Sequence, residues 1–481
     1  MADKDLTSLQ EARDLVRKAK AAQIAFSALS QEQVDLILKA ITDVMVAMAE
    51  ELAKMASEET GYGKWQDKTK KNLLASETLY NHIRSMKTIG VINQDREKRI
   101  IEIATPVGVI AALIPSTNPT STTIYKTLIA LKAGNGIVFS PHPSAQKCIA
   151  KTVEIIRRVL KEIGVSEDLV SMMSVPTIDG TAELMKRADL ILATGGPAMV
   201  KAAYSSGTPA LGVGPGNVPV FIERSADIHT AISMIMDSKT FDNGTVCASE
   251  QAIVTEDVIA ARVKEELLKQ GGYFLEGEKA DRIKAIMERP GGGMNPAVVG
   301  KTAQDLARMA NIEIPQGTRL LIYEEKGVGP EYPFSSEKLT ALIAFYAVPD
   351  WQAASELCDR LLKNGGVGHT LSIHSKNEDV VLRMSLAQPV SRVVVNTPST
   401  HGAVGISTGL APSLTLGCGS IGGSATSDNV GPFHLFNIRR IAYGLNTGAV
   451  QLAGAGSVDV ELITRLVVEK MKSMNFAGQF Q

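Results

Sequence analysis

The 481-residue chain has few of the features that mark extracellular, membrane or nucleic-acid-binding proteins. Its four cysteines lie far apart and form no C-x-x-C pair, so neither a disulfide scaffold nor a metal site is expected. No apolar run reaches about 18 residues, and the N-terminus has no secretory pattern, so we expect a cytoplasmic protein without a membrane partner. The 50 basic and 51 acidic side chains nearly cancel, which gives no electrostatic reason to expect nucleic acid as a partner.

Helical and strand-like patterns follow one another along the first half of the chain. Residues 7–88 carry apolar residues at helical spacing, and residues 89–105 alternate around a charged turn, which predicts a β-hairpin. From Val107 onward, short apolar strands alternate with helices until VPVFIE at 218–223, which we expect to close the sheet. Such alternation predicts an α/β fold whose parallel sheet binds ligands at the carboxyl ends of its strands.

A second α/β region and a separate tail follow. The tail begins with the small-residue linker TGAVQLAGAGS and continues as an amphipathic helix. The predicted domains are 1–240 with the hairpin 89–105 and a return segment 431–450, then 241–430, and then 451–481 as linker and helix.

Three segments contain residue types that could carry chemistry. Cys247 in FDNGTVCASEQ is a candidate nucleophile, although an isolated cysteine is more often a small buried apolar residue. The loop IPSTNPT at 114–120 contains Asn118, whose amide could donate to an oxyanion or simply form a turn. The sequence TGGP at 194–197 joins a strand to a helix, an arrangement that suits either phosphate binding or a plain tight turn.

One glycine-rich string is not expected to bind a dinucleotide. GCGSIG at 417–422 matches the pattern G-x-G-x-x-G, but no helical pattern follows it. We therefore predict a loop there, which could border a substrate site.

Taken together and in this order, these segments resemble the aldehyde dehydrogenase superfamily, and in particular its CoA-acylating branch. The resemblance covers about residues 10–450. It rests on TPVGVIAALIPSTNPTSTTIYKTLIALKAGN, FSPHP, ATGGPAMVKAAYSSGTPALGVGPGNVP, FDNGTVCASEQ, VVNTPSTHGA and PSLTLGCGSIGG. It implies the aldehyde dehydrogenase fold, with a Rossmann-like cofactor domain, an α/β catalytic domain and an oligomerisation hairpin, and hence a homodimer or homotetramer.

The resemblance also implies roles for individual residues. Cys247 matches the nucleophile, and Asn118 matches the donor that completes an oxyanion hole. Glu337 matches the glutamate that holds the nicotinamide ribose. FSPHP stands where hydrolytic relatives have a Lys-Pro-Ser stretch that grips the adenosine ribose. That lysine is absent here, with Ser140 in its region, so both NAD and NADP stay open as cofactors. The residues expected to border the cofactor are Ile114, Pro115, Ser116, Thr117, Ser140, His142, Thr194, Gly195, Gly196 and Glu337.

Two histidines and a second cysteine are further candidates. His369 in GGVGHT and His401 in STHGA could act as a general acid or base, although histidines are more often structural. Cys418 is expected to border the acyl or CoA region, as is His369, but Cys418 is not expected to be a nucleophile.

One departure from hydrolytic relatives favours a reaction class. Those enzymes carry an E-L-G-G motif whose glutamate activates water, whereas this sequence has ALGVGPGN, with no acid between Ala210 and Val220. The resemblance therefore implies that a Cys247 thioester is passed to coenzyme A, after oxidation of a short-chain aldehyde such as acetaldehyde or propionaldehyde. The alternatives are a hydrolytic enzyme, an acylating enzyme for sulfoacetaldehyde or succinate semialdehyde, and a non-catalytic binding protein on the same fold.

The tail resembles the short amphipathic peptides that attach cargo enzymes to bacterial microcompartment shells. The resemblance implies that residues 457–474 dock on a shell protein. The alternative is that the helix packs on the protein's own oligomer.

Overall fold

The computed structural model describes residues 3–287, 294–445, 461–467 and 469. Within these ranges, no helix has both the length and the apolar character needed to cross a bilayer. The strands, in chain order, are β1 (Gly90–Asp95), β2 (Ile100–Pro106), β3 (Val109–Ile114), β4 (Gly136–Pro141), β5 (Val170–Met172), β6 (Leu190–Thr194), β7 (Ala210–Val213), β8 (Val218–Ile222), β9 (Glu250–Glu256), β10 (Gly272–Phe274), β11 (Leu320–Glu324), β12 (Leu342–Val348), β13 (Gly368–His374), β14 (Val390–Val395) and β15 (Phe436–Ala442).

The first part of the chain is helical, as its apolar spacing predicts. One of its helices begins with a capping box, in which Ser30 and Gln33 each accept a hydrogen bond from the other's backbone N–H. The helices are α1 (Lys4–Phe26), α2 (Gln31–Ala47), α3 (Ala49–Thr60), α4 (Trp65–Leu73), α5 (Leu79–Ile83), α6 (Pro119–Lys132), α7 (Gln146–Glu162), α8 (Ile178–Arg187), α9 (Pro197–Ser205), α10 (Ile228–Thr240), α11 (Asp257–Lys269), α12 (Gly277–Met287), α13 (Ala303–Met309), α14 (Trp351–Lys363), α15 (Glu378–Ala387) and α16 (Ser399–Ala403).

A five-stranded parallel sheet confirms the strand–helix alternation that begins at β3. Its strand order is β5-β4-β3-β6-β7, with β3 at the centre. All six residues of β3 are buried, and so is every residue of α6, the helix that follows it. Because both faces of the sheet are covered, its strands are apolar throughout rather than alternating.

A seven-stranded parallel sheet has the order β10-β11-β12-β9-β8-β13-β14. The expectation that VPVFIE closes the first sheet is wrong, because β8 pairs in parallel with β9 and β13 at the centre of this second sheet. A buried apolar strand has the same pattern in either sheet, so only its pairing partners reveal where it belongs. The domain limits at 240 and 430 stay a prediction.

The hairpin predicted at 89–105 is present as antiparallel β1 and β2. The strand β15, from the return segment, pairs antiparallel with β2 and completes a three-stranded sheet. Most of β15 is exposed, including Ile438 at 42%. An exposed apolar side chain on an edge strand suits a sheet that joins subunits.

Only part of the tail, residues 461–467 and 469, lies among the described residues, and these residues are helical. Leu466 is 55% exposed, whereas Ile463, Thr464 and Val467 are half-buried. A methyl group added at Gly90 would lie 3.7 Å from Thr464, so this helix approaches the hairpin of its own chain. One side of the helix therefore has an intrachain neighbour that the sequence did not predict.

Candidate active site

A cleft with a cavity volume of about 390 Å³ forms where loops of the two parallel sheets meet. Loops after β3, β6 and β7 come from the five-stranded sheet, and segments before β9 and β12 come from the seven-stranded sheet. The cleft thus lies at the carboxyl ends of the first sheet, where the α/β pattern predicts a ligand site. The predicted site residues that line it are Pro115, Ser116, Thr117, Asn118, His142, Thr194, Gly195, Gly196, Cys247, Glu337 and His401.

Four predicted site residues do not line this cleft. Ile114 is 4% exposed within β3, and Ser140 is buried, with its hydroxyl hydrogen-bonded to that of Thr181 (2.8 Å). His369 and Cys418 are buried; His369 lies beside Gly216, which packs against Cys247, and Cys418 packs against Gly368. Any part that these four residues play in binding stays a prediction.

The chain reaches Cys247 through a tight turn. The residues Asp242 and Asn243 adopt left-handed backbone angles (φ 49° and 52°), and Gly244 follows at φ 79°. A side chain at Gly244 would meet the Thr340 carbonyl oxygen at 2.9 Å. Only glycine combines that angle with such close packing, so Gly244 is required for this turn.

Cys247 is the one cysteine of this chain that is not buried. It is half-buried in the cleft, whereas Cys148, Cys358 and Cys418 are buried. Burial raises the pKa of the Cys247 thiol to about 12, and nearby Glu337 adds to the rise, while Arg392 opposes it. A thiol with this pKa is protonated at neutral pH, so it must lose a proton before it can attack.

Asn118 lies at the end of β3 and faces the cysteine loop. Its Nδ2 donates to the Thr245 carbonyl (3.1 Å) and to Thr117 Oγ1 (3.2 Å). Its Oδ1 accepts a hydrogen bond of 2.6 Å from Lys71 Nζ. Both the nitrogen and the oxygen of the amide group are therefore hydrogen-bonded. One acceptor is the carbonyl of Thr245, two residues before Cys247 in the sequence.

Two buried lysines and one aspartate support this loop, and we call them the lysine–aspartate cluster (Lys68, Lys71 and Asp242). Both ammonium groups bond to Asp242 Oδ2, and Lys68 also donates to the Thr117 carbonyl (2.9 Å). The side chains are 3%, 4% and 0% exposed. Sequence reasoning missed these residues, because lysines three apart on a helix are normally solvated.

Glu337 is the only carboxylate among the described residues that line the cleft. Its Oε1 accepts a hydrogen bond from the Gly216 N–H (3.0 Å), and burial raises its pKa to about 7. Sequence reasoning also missed Gly216. A methyl group there would lie 2.1 Å from the Cys247 carbonyl oxygen, so glycine is required for the two loops to meet.

The two candidate histidines occupy different environments. His401 lines the cleft, with its ring edge-on to Phe241 at 5.0 Å. His369 is fully buried, and burial lowers its pKa to about 3, so its ring is neutral. Its Nδ1 bonds to Thr370 Oγ1, while its Nε2 has no hydrogen-bond partner among the described residues.

The turn between β6 and α9 suits a phosphate group. Gly196 is the N-cap of α9 without a side-chain cap, and Pro197 occupies the first turn. An added methyl group at Gly196 would meet nothing within 4 Å, so the cleft side of the turn is open. Helix N-termini bind phosphate through free backbone N–H groups, so this turn fits the pyrophosphate of a dinucleotide.

The sequence and the fold assign the chain to a known family. The profile of the aldehyde dehydrogenase family matches residues 2–322. The chain belongs to this family, and its mixed α/β architecture is that of the aldehyde dehydrogenase fold.

Individual relatives carry more specific names. The chain is 43% identical over 442 residues to an aldehyde-alcohol dehydrogenase of Clostridium acetobutylicum; the match covers 91% of this chain and 51% of that protein. The chain thus spans about half the length of this curated relative. An acetylating aldehyde dehydrogenase of Geobacillus thermoglucosidasius has a solved structure at TM-score 0.91 and 49% identity, covering 93% of this chain and 100% of that one.

A third relative was solved with its ligands. It is a propionaldehyde dehydrogenase of Rhodopseudomonas palustris, with bound CoA and an acylated cysteine. It matches at TM-score 0.81 and 28% identity, covering 90% of this chain and 97% of that one.

Proposed function

We propose that this chain is a CoA-acylating aldehyde dehydrogenase, which oxidises a short-chain aldehyde with NAD or NADP and transfers the acyl group from Cys247 to coenzyme A. The observation that carries the proposal is the position of Cys247. It is the one cysteine exposed to the cleft, and the amide of Asn118 is turned toward its loop. The acylated cysteine and the bound CoA of the Rhodopseudomonas relative support the same chemistry.

In the first half-reaction, Cys247 attacks the aldehyde. The sulfur passes its proton to a base in the cleft, for which His401 is the candidate, and bonds to the carbonyl carbon, while the carbonyl π electrons move onto the oxygen. The Cys247 backbone N–H and Asn118 Nδ2 stabilise that oxyanion, at typically ~3 kcal/mol for each donor. Asn118 Nδ2 exchanges its bond to Thr117 Oγ1 for this contact. A nicotinamide ring bound here would accept the hydride of the aldehyde C–H bond, so that the oxyanion collapses to a thioester on Cys247. Glu337 would hold the cofactor at its ribose, and the turn at 194–196 would hold its pyrophosphate.

In the second half-reaction, the thioester on Cys247 reacts with a thiol. The coenzyme A sulfur bonds to the acyl carbon and the Cys247 sulfur leaves as the thiolate, which regains a proton. Water competes poorly, because the loop at 210–220 has no carboxylate to activate it. The carboxylate that does line the cleft, Glu337, is bonded to the Gly216 N–H. His401, whose ring lines the cleft, is a candidate base for the incoming thiol.

The side chains around the acyl end of the cleft favour a small uncharged aldehyde. They are mostly apolar, and the ammonium group of Lys71 is already bonded to Asp242 and Asn118. An aldehyde that carries a sulfonate or carboxylate would need a free cation there. The apolar residues are Leu74, Phe241, Val246, Val404, Ile406, Leu414 and Leu416.

An aldehyde panel tests the proposal. Acetaldehyde, propionaldehyde, succinate semialdehyde and sulfoacetaldehyde would be assayed with NAD and with NADP, each with and without coenzyme A. The proposal predicts NAD(P)H formation that needs coenzyme A and is fastest with the first two aldehydes. Steady turnover to the free acid without coenzyme A would instead favour the hydrolytic alternative.

We further propose that the protein is a homodimer or homotetramer joined through the β1–β2–β15 sheet, and that the tail attaches it to a microcompartment shell. The exposed Ile438 on β15 and Leu466 on the tail helix support these two contacts. A chain lacking residues 457–481 should keep its kcat and its oligomeric state, but should no longer co-sediment with a shell protein. Loss of the oligomer would favour packing of the tail on its own assembly.

A further inference from the structure

We infer that Lys71 is a positioning residue for the reaction, which fixes the orientation of the Asn118 amide so that its nitrogen, rather than its oxygen, faces the cysteine loop. From there, Nδ2 can exchange its bond to Thr117 Oγ1 for one to the reacting carbonyl oxygen. The inference rests on the proposed function, since it concerns the same oxyanion site. Lys71 is distinguished by its bond to Asn118 and by its burial.

The partners of Asn118 leave only one orientation of its amide. An ammonium group can only donate a hydrogen bond, so the Asn118 atom 2.6 Å from Lys71 Nζ must be the oxygen. A carbonyl oxygen can only accept, so the atom 3.1 Å from the Thr245 carbonyl must be the nitrogen. A flipped amide would face a donor with a donor and an acceptor with an acceptor. Lys71 thus sets the direction in which the Nδ2 protons point.

Lys71 is itself held rigidly. Its three N–H groups have three acceptors, which are Asp242 Oδ2, Asn118 Oδ1 and Thr245 Oγ1. Burial lowers the pKa of Lys71 to about 8, and the Asp242 carboxylate opposes that fall. The ammonium group therefore keeps its proton at neutral pH, and all three of its N–H groups remain available to donate these bonds.

The charge of Lys71 also strengthens the donors of Asn118. A cation bonded to an amide oxygen draws electron density from the amide nitrogen, and this makes its N–H groups better donors. Lys71 lines the cleft and is only 4% exposed, so little water screens this effect. We expect the benefit to appear where negative charge develops on the substrate oxygen, that is, in kcat rather than in aldehyde KM.

A double-mutant cycle tests this inference. Lys71→Met keeps the apolar stem but removes the ammonium group, and it would be made both in the wild-type chain and in Asn118→Ala. The readout is the burst of 4-nitrophenolate from 4-nitrophenyl acetate, which needs the thiol and an oxyanion donor but neither nicotinamide nor coenzyme A. In the wild-type chain the burst rate should fall by about 10- to 100-fold, approaching the loss from removing one oxyanion donor.

In the Asn118→Ala background, the same substitution should slow the burst by less than about 3-fold, because the amide that Lys71 orients is gone. Lys68→Met is the matched control, because it removes an equally buried ammonium from Asp242 without touching Asn118. Its effect should be several-fold smaller than that of Lys71→Met. Thermal unfolding would verify that each variant is folded, and protection of the three buried cysteines from iodoacetamide would verify that the core is intact.

Equal losses from Lys71→Met in both backgrounds, or no loss in either, would overturn the inference. Equal losses from Lys68→Met and Lys71→Met would also overturn it, since they would indicate a general effect of buried charge. A wild-type chain that shows a normal burst but no CoA-dependent NAD(P)H formation would refute the proposed function alone.

Discussion

Two groups of buried charged side chains flank Cys247, and they differ in how completely they are bonded. In the lysine–aspartate cluster, the Asp242 carboxylate accepts hydrogen bonds from the Lys64 N–H, from both lysines and from Thr245 Oγ1. The second group, which we call the glutamate–lysine cluster, contains Lys239, Glu250, Glu337 and Lys338. There, Glu250 Oε2 has no hydrogen-bond partner among the described residues.

The difference in bonding goes with a difference in protonation. Burial lowers the pKa of Lys239 to about 7 and raises the pKa values of Glu250 and Glu337 to about 7. In the other cluster, the two lysines keep the pKa of Asp242 below its ordinary value despite its burial. The densely bonded cluster is therefore suited to holding geometry, whereas the sparsely bonded one changes its charge near neutral pH.

The largest expected effect concerns the thiol that both clusters flank. Cys247→Ser should reduce aldehyde-dependent NAD(P)H formation by at least about 10⁴-fold, because a hydroxyl in this apolar cleft is a far weaker nucleophile. Steady-state rates with acetaldehyde and coenzyme A would measure the loss. Cys358→Ala, in the buried face of α14, is the control and should keep its activity. Unchanged turnover in Cys247→Ser would favour a different nucleophile or a non-catalytic protein.

The second prediction tests whether the densely bonded cluster holds the fold. Asp242→Asn leaves two buried ammonium groups without a carboxylate, and the free energy of unfolding should fall by about 3–5 kcal/mol. Urea denaturation would measure it. Asp43→Asn breaks an exposed ion pair with Lys39 and should cost less than about 1 kcal/mol. Similar losses in the two variants would mean that Asp242 stabilises the fold no more than an exposed aspartate does.

The third prediction concerns the sparsely bonded cluster and pH. The pKa of Glu337 rises from 4.5 to about 7 on folding, so the folded chain binds this proton more tightly than the unfolded chain does. Its contribution to stability is complete below pH 4.5 and is lost as the pH rises through about 7. A glutamine at position 337 cannot ionise. The free energy of unfolding of Glu337→Gln, measured relative to that of the wild type, should therefore increase as the pH is raised from 5 to 8. Urea denaturation at both values would measure this, and a constant difference would contradict it.

The smallest expected effect is at the phosphate-binding turn. Gly196→Ala has room in the fold, so the thermal midpoint should change little, whereas the methyl group would project where a pyrophosphate approaches. We expect the KM for NAD to rise by about 3- to 10-fold, corresponding to roughly 1 kcal/mol. Gly431→Ala, equally unhindered but outside the cleft, is the control. An unchanged KM would place the cofactor phosphates elsewhere.

Much of the fold follows from local patterns in the chain. The apolar run of β3, the proline that begins α6 and the charged turn of the hairpin each specify an element through local sterics and burial. The assignment of β8 to the wrong sheet arose because local patterns do not specify which strands pair. A strand buried on both faces carries no mark of its neighbours, so pairing between distant segments decided where it lies.

The candidate site divides in the same way. The sequence by itself determined the reactive atoms, because the thiol of Cys247, the amide of Asn118 and the glycines at 195–196 are properties of residue type. Only the tertiary structure decided that Lys68 and Lys71 are buried against Asp242 and that Ser140 is turned away from the cleft. Burial and charge pairing arise from segments far apart in the chain, and they set both the pKa of a group and its partners.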